Sequence, residues 1–332
     1  MRDVAERAGV SLKTVSRVVN DEGGVSPALL RRVRQAIDEL DFRPNVGARI
    51  LRRSDHRTAS VGLLLEDIAN PFSAALARAV EDEATPRGVV VLVASLDEDP
   101  VRERALAKLF LARHVDGLLL VPAGDDQAYL VGELRRGTAI VCIDRAAHNL
   151  PVDSVVSTNE AGAAEGVRHL IAGGHRRIAF LSDRFSIATA RQRYAGYQAA
   201  LAAAGIPLDD SLVVVDLRDY SQADGAASAL LGRPDPPTAV FSAQNLITIG
   251  VLRALRRLDL ARDVALVGFD DVALAELLAP GVTVIAQDVT ALGRLAAQRL
   301  FTRIAGDVDQ PQVRLVPTTL IRRGSGEIPA RR

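Results

Sequence analysis

The chain has 332 residues, too long for one ordinary domain and comfortable for two or three. Hydrophobic residues make up 48% and 41 basic side chains balance 41 acidic ones, which excludes a disordered polyelectrolyte. No apolar run approaches the ~18 residues of a spanning helix, and the N-terminus is polar rather than signal-like, so a cytoplasmic protein without a membrane partner is expected. The neutral total hides an asymmetry: the first 57 residues carry 12 basic against 8 acidic groups and the remainder 29 against 33, a basic head suited to phosphates on an acidic body.

The head reads as three helices. In DVAERAG, Val4, Ala5 and Ala8 recur at helical spacing, and Gly9 follows as the residue most willing to leave the helix. Ser11 stands where an N-cap belongs, ahead of LKTVSRVVN. There Val15, Val18 and Val19 form one face, while Leu12, Lys13, Ser16, Arg17 and Asn20 lie on the other. A third helix opens at Pro27 with Leu30, Val33, Ile37 and Leu40 as its apolar stripe. Helix, glycine turn, short helix, third helix is the helix-turn-helix arrangement, whose second helix enters the major groove by its N-terminal end. Lys13 and Arg17, four apart, project from one side, and an arginine can grip a guanine edge with two nitrogens. Leu12 offers only apolar contact, for instance to a thymine methyl. Ser11, Thr14, Ser16 and Asn20 are short donors suited to phosphates.

DVAERAGVSLKTVSRVVN, then VSPALLRRV, then FRPNVGARILRR resemble the lactose-repressor (LacI/GalR) family of bacterial transcription regulators, and the resemblance covers essentially the whole chain. It implies an all-α helix-turn-helix DNA-binding head at 1–43, a hinge helix and linker at 44–57, and an effector-binding and dimerisation core at 58–332. That core resembles periplasmic binding proteins, with an N-lobe from about 58–157 and 288–316 and a C-lobe from about 158–287 and 317–332. The resemblance puts Leu12 and Lys13 at the main operator-specifying positions and Arg17 at a base-contacting one. PNVGARIL is about two turns long and carries Gly47, too weak to hold as an isolated helix. In the family, DNA and the partner's hinge support this helix and a leucine wedges into the minor groove; the matching residue is Leu51. Asn45, Ala48 and Arg49 match the family's N-x-x-A-R hinge pattern, whereas Ile50 replaces a small polar residue. Relatives carry a few more residues ahead of the Asp3 position, which implies a translation start slightly upstream of Met1.

Beyond Thr58, SVGLLL, VVVLVAS, DGLLLV and AIVCID are strand-like runs separated by helices beginning near Pro71, Pro100 and Asp125. RIAFLS, LVVVD, TAVFSA and VALVGF follow, separated by helices near Ala188, Ser221 and Leu246. Two such series mean two tandem doubly wound parallel-sheet lobes, so the fold class is an all-α head plus an α/β core. A final helix from Val289 to about Gly306 and the strands VRLVP and TTLI complete the lobes after the chain crosses back, as in the family. The single cysteine, Cys142, should pack as a small hydrophobe in AIVCID. His175 is expected to order a turn, and no metal-type spacing is present.

Ligands of such sheets gather at the carboxyl ends of strands, which selects Asp67 to Ser73, Pro122 to Asp125, Asp144 and Arg145, Ser182 onwards, and Phe269 to Asp271. The family resemblance narrows the effector cleft to Phe72, Ser73, Asp144, Arg193, Tyr220, Gln244 and Asp270, with Arg145 the form seen in many sugar-responsive members. Arg193 and Asp270 suit vicinal hydroxyls, and Phe72 and Tyr220 suit the apolar side of a sugar ring. Asp270 and Asp271 are alternatively caps of a short helix in VALAELL. Relatives commonly carry Asn-Asp where this chain has Gln244 and Asn245. A sugar or related polyol is therefore the expected effector, with a nucleoside or purine ranked below it.

No G-x-G-x-x-G after a first strand, phosphate loop, serine elbow or paired catalytic carboxylates appear, so no enzyme activity, catalytic residue or cofactor is expected. A transport-type sugar-binding protein would share the core but needs export and no DNA reader. The expected function is a DNA-binding repressor controlled allosterically by a small sugar, acting as a homodimer on a near-palindromic duplex operator. The ending GSGEIPARR has no leucine heptads for a tetramer coil.

Overall fold

The computed structural model describes residues 1–19, 23–42 and 57–330, in two compact units, Met1–Ala59 and Ser60–Arg332. Asn20 and the hinge positions Asn45, Ala48, Arg49 and Leu51 lie outside the described residues.

The first unit carries α1 (Arg2–Ala8), α2 (Leu12–Val19) and α3 (Pro27–Glu39). α1 stops where Gly9 turns left-handed at φ 60. A Cβ at that position would approach within 2.8 Å of Arg32, whose Nη2 donates to the Ala8 carbonyl at 2.6 Å and satisfies the helix end. Ser26 caps α3 by accepting from the Leu29 amide, with Pro27 in the first helical position. Val4, Ala8, Val15, Val18, Val33 and Ala36 form the core of this unit. Leu40 departs from the expected stripe. It lies just past the end of α3 as the C-cap, where the helical register no longer aims a side chain inward, and is 43% exposed.

The second unit runs β1 (Ser60–Leu65), α4 (Pro71–Ala84), β2 (Val90–Ser95), α5 (Pro100–Ala112), β3 (Gly117–Leu120), α6 (Val131–Arg135), β4 (Ala139–Ile143) and β5 (Asp153–Ser157). It continues with α7 (Asn159–Ala172), β6 (Ile178–Leu181), α8 (Ala188–Ala203), β7 (Val213–Val214), α9 (Tyr220–Leu231), β8 (Ala239–Ser242) and α10 (Asn245–Arg257). β9 (Ala265–Phe269), β10 (Thr283–Gln287), α11 (Val289–Ile304), β11 (Val313–Val316) and β12 (Thr318–Ile321) close the chain.

Two six-stranded sheets result, in the orders β11-β5-β4-β3-β1-β2 and β12-β10-β9-β8-β6-β7. The first is parallel throughout. The second is parallel except for β12, which runs antiparallel to β10, so it is not the purely parallel sheet expected. Helices cover both faces, and β1 shows how the pleat divides its residues: Val61, Leu63 and Leu65 enter one core layer and Leu64 the other. The chain passes between the sheets after β5, after β10 and between β11 and β12. The first and last passages are tied: the Thr158 amide donates to the Val316 carbonyl at 3.0 Å, and the Thr318 amide to the Thr158 hydroxyl at 3.1 Å.

Hydrophobic periodicity overlooked β5, α7 and β10. β5 buries Asp153, Ser154 and Ser157, and Asp153 is tolerated there because Arg299 and Arg303 pair with it at 2.9 and 2.7 Å. α7 buries Gly162, Ala163, Ala164 and Gly166, a face of small residues that gives a weak apolar signal. Three other expectations are corrected. The helix expected near Asp125 is a single turn at Ala128–Leu130 leading into short α6, LVVVD pairs only at Val213–Val214, and VALAELL forms one turn at Ala275–Leu277. That turn is not capped by Asp270 or Asp271; Asp270 is left-handed at φ 68, and Asp271 pairs with Arg323 at 2.7 Å.

Candidate DNA-reading helix and interlobe site

In the head, burial of Val15 and Val18 turns the N-terminal end of α2 outward, leaving Leu12 49% exposed beside an exposed Lys13. Ser11 caps the helix as expected from its position: the Thr14 amide donates to its oxygen at 3.1 Å, and the two hydroxyls lie 2.9 Å apart. Arg17 is half-buried one turn further on. Gly24, at φ 88, keeps space for it, since a Cβ there would stand 3.0 Å from the Arg17 Nη2. Ser16 is half-buried on the same helix.

In the core, strand ends from both lobes meet in a buried polar cluster. Asp144 follows β4 and Asp270 follows β9, both left-handed and both buried. Asp270 accepts from the Gln287 amide group at 2.6 Å and faces Arg193 at 3.5 Å. Arg193 rises from the second turn of α8, not from its first residues, and donates to Asn159 at 2.9 Å and to the Ala243 carbonyl at 2.7 Å. Its guanidinium lies 3.9 Å from the centroid of the Phe269 ring. Gly196 makes this possible: a Cβ there would strike the Glu160 carbonyl and come within 2.9 Å of Ala163, so only glycine lets α8 lie this close to α7.

Arg145 is turned into its own lobe, donating to Glu98 at 2.7 Å and to the Pro122 carbonyl at 2.9 Å. Burial pushes the Asp144 carboxyl upward against the pull of Arg145 and Arg193. Glu66, at the end of β1, is driven up to about 8 by burial and by the neighbouring charge of Glu98. Asp183, after β6, is raised to about 6 by burial, with Arg193 and Arg145 opposing. Two contacts join the lobes beside this cluster. The Asn245 amide group at the start of α10 donates to Asn70 at the N-cap of α4 at 2.8 Å, and Arg191 on α8 pairs with Asp125 at 2.9 Å.

The residues expected in the cleft thus have different placements. Asp144, Arg193 and Asp270 share the cluster. Ser73 is buried in the first turn of α4, and Phe72 beside it is half-buried against the N-lobe core. The Gln244 side chain caps α10, accepting from the amides of Leu246 and Ile247 at 2.9 and 3.2 Å. Tyr220 opens α9, is 45% exposed, and has Arg253 over its ring at 5.1 Å. His175 orders its turn, with ring nitrogens 2.9 Å from the Thr238 hydroxyl and 2.8 Å from the Ile328 carbonyl. Sequence reasoning overlooked Glu66 and Glu98 as members of the cluster; Asn70 lay inside the range Asp67 to Ser73 and Asn245 was named beside Gln244, but the hydrogen bond that joins these two across the lobes was not expected. The strand-end rule would have reached Glu66 one residue earlier than the range it was given, and Glu98 had it been applied to β2.

Residues 1–45 match the bacterial regulatory proteins of the lacI family, and residues 167–326 a periplasmic binding protein-like domain. The ribose operon repressor of Escherichia coli (strain K12) is 33% identical over 328 residues, covering 98% of this chain and 99% of that protein. The chain belongs to the lacI family. Among solved structures, the lac repressor dimer bound to operator and the anti-inducer ONPF is 28% identical with a TM-score of 0.86, covering 98% of both chains. The transcriptional regulator CelR in complex with cellobiose is 33% identical with a TM-score of 0.72, over 97% of this chain and 98% of that one. As a lacI-family member the protein is a transcriptional regulator, and the relatives are not enzymes. Among the described residues no helix is long and apolar enough to cross a membrane, and no group of three or more His, Cys, Asp or Glu could hold a metal ion.

Proposed function

We propose that this lacI-family protein is a repressor that binds a near-palindromic operator as a homodimer and changes its grip when a polyol binds between the two core lobes. The reading rests on one pairing of features: a capped helix with Leu12 and Lys13 turned to solvent, and a two-lobed body that buries the strand-end carboxylates Asp144 and Asp270 together with Arg193 of α8. The named relatives, a ribose operon repressor and a regulator complexed with cellobiose, support a sugar as the effector class. In this reading Leu12, Lys13 and Arg17 choose the base sequence, and Ser11, Thr14, Ser16 and Asn20 hold phosphates. Asn45, Ala48, Arg49 and Leu51 form a hinge that folds only with DNA and the partner's hinge. The effector biases the lobes, the lobes bias the two hinges, and operator affinity changes without the effector touching DNA.

The test is fluorescence anisotropy on a duplex selected from a random pool. Binding should fall about 1,000-fold or more between 50 and 200 mM salt if six or more phosphates are contacted, and a sugar should move the midpoint. Lys13→Ala or Arg17→Ala should relax the preference for the selected sequence by about 1–3 kcal/mol per base pair read. Leu51→Ala should weaken operator binding far more than sugar binding; equal loss of both would sink the hinge assignment.

A further inference from the structure

Asn70 and Asn245 stand on opposite lobes, 4% and 3% exposed, and are joined by one hydrogen bond of 2.8 Å. An asparagine amide can face either way round, so the direction of such a bond must be fixed by its other partners. Here helix ends fix both. The Asn70 Oδ1 accepts from the Phe72 amide at 3.1 Å as the N-cap of α4, so the same oxygen faces Asn245. The Asn245 Oδ1 accepts from the Leu246 amide at 2.8 Å at the start of α10, which leaves its Nδ2 to donate across the boundary. Turning either amide over would set donor against donor at its own helix end and break the link between the lobes.

Asn245 is not needed to cap its own helix. The Gln244 side chain already accepts from the amides of Leu246 and Ile247 at 2.9 and 3.2 Å. What Asn245 adds is the bond to the N-lobe. The other side-chain link beside the cleft, Arg191 with Asp125, is 40% and 59% exposed and screened by salt. The amide pair is neutral and buried, so salt leaves it intact. A neutral hydrogen bond shielded from water biases an equilibrium by roughly 2- to 12-fold. That bias favours one arrangement of the lobes yet is small enough for a ligand with unequal affinity for the two arrangements to reverse.

We propose that the Asn70–Asn245 bond is a latch that holds the lobes closed before any effector arrives, and that its strength sets the affinity of the head for operator. The second half rests on the reading of the lobes as the control of operator grip. Closed lobes hold the two hinges of a dimer at a fixed separation, whereas loosened lobes must be ordered again when DNA binds, which weakens the complex.

Hydrogen exchange of the full chain, with no sugar or DNA present, tests the latch by reading each substitution in the lobe that does not carry it. Asn245→Ala leaves α10 capped by Gln244, and Asn70→Ser keeps a capping oxygen on α4 while shortening the side chain out of reach of Asn245. Asn245→Ala should speed exchange at residues 70–74 at least about threefold, and Asn70→Ser should do the same at residues 244–248, within the bias of one hydrogen bond. Exchange that is unchanged, or faster only in the substituted lobe, overturns the latch, because each amide would then serve its own helix alone. Fluorescence anisotropy on the selected duplex, again without sugar, should show both variants binding at least about threefold more weakly than the parent. Faster exchange across the lobes with an unchanged anisotropy midpoint overturns the link to DNA. A parent chain that binds no duplex overturns the repressor reading alone, and the exchange result still decides the latch.

Discussion

Asp144 in the N-lobe and Asp270 in the C-lobe follow equivalent strands, each third in its sheet, and adopt nearly equal left-handed φ values of 66 and 68. Each donates its amide at 2.9 Å to the strand alongside, at Val155 and Ile285. Their carboxylates part company there. Asp270 has a donor in Gln287 and a counter-charge in Arg193, both from its own lobe. Asp144 has Arg145 at 3.5 Å, but that guanidinium is drawn off by Glu98 and the Pro122 carbonyl, and the Asp144 Oδ1 is left over. A common backbone frame decides where the carboxylate stands, and its neighbours decide whether it is satisfied before any ligand arrives.

The strongest way to break this comparison is to remove the C-lobe's own compensation. Arg193→Ala should destabilise the fold by about 3–5 kcal/mol, because Asp270 is left buried without its charge partner. Asp144→Asn should leave stability unchanged or raise it, since an amide needs no counter-charge at a site where burial already disfavours the ionised form. Urea unfolding of the two variants at pH 8 measures this directly. Equal destabilisation would show that Asp144 is as well compensated as Asp270.

Both lobes were legible in the sequence wherever apolar residues dominate a strand, and the losses occur where polar burial hides behind pairing. SVGLLL and VALVGF declare themselves, whereas Asp153 and Ser154 disguise β5 because the arginines that neutralise Asp153 lie about 150 residues further on, in α11. The same limit applies to the cluster. Asp144, Arg193 and Asp270 follow from strand ends and from family resemblance. That Gln244 would turn back to cap α10, and that Glu98 would occupy Arg145, depends on rotamers and on chain far away in sequence.

The comparison sharpens with pH. Glu66 rises from an ordinary 4.5 to about 8 in the folded protein, and Asp183 from 3.8 to about 6. A carboxyl whose folded value is raised binds its proton more tightly when folded, so it carries no penalty below the unfolded value and the full penalty above the folded one. Stability should therefore fall as pH rises through this window, Asp183 completing its loss by about 6 and Glu66 by about 8. Thermal melts from pH 5 to 8.5 should show a decline on the order of 5 °C that Glu66→Gln largely removes, the size set by the usual relation between free energy and Tm. A Glu66→Gln melting profile as steep as that of the parent would place the titrating group elsewhere.

The smallest effect belongs to the Asp125–Arg191 pair, which joins the lobes at 2.9 Å on the surface. Arg191 is held in place by its own lobe, donating to the Ser186 carbonyl at 2.9 Å and to the Phe185 carbonyl at 2.6 Å, so only Asp125 must be ordered to form the link. Both side chains remain substantially exposed, and solvent screening limits such a pair to about 0.5 kcal/mol. Asp125→Asn should therefore barely move the unfolding midpoint, and the difference from the parent should vanish at 1 M salt, where the screening length is about 3 Å. A loss that persists in high salt would mean that Asp125 acts through the hydrogen bond itself. The interlobe contact would then be a fixed strut, with its strength independent of the charges that set Asp144 apart from Asp270.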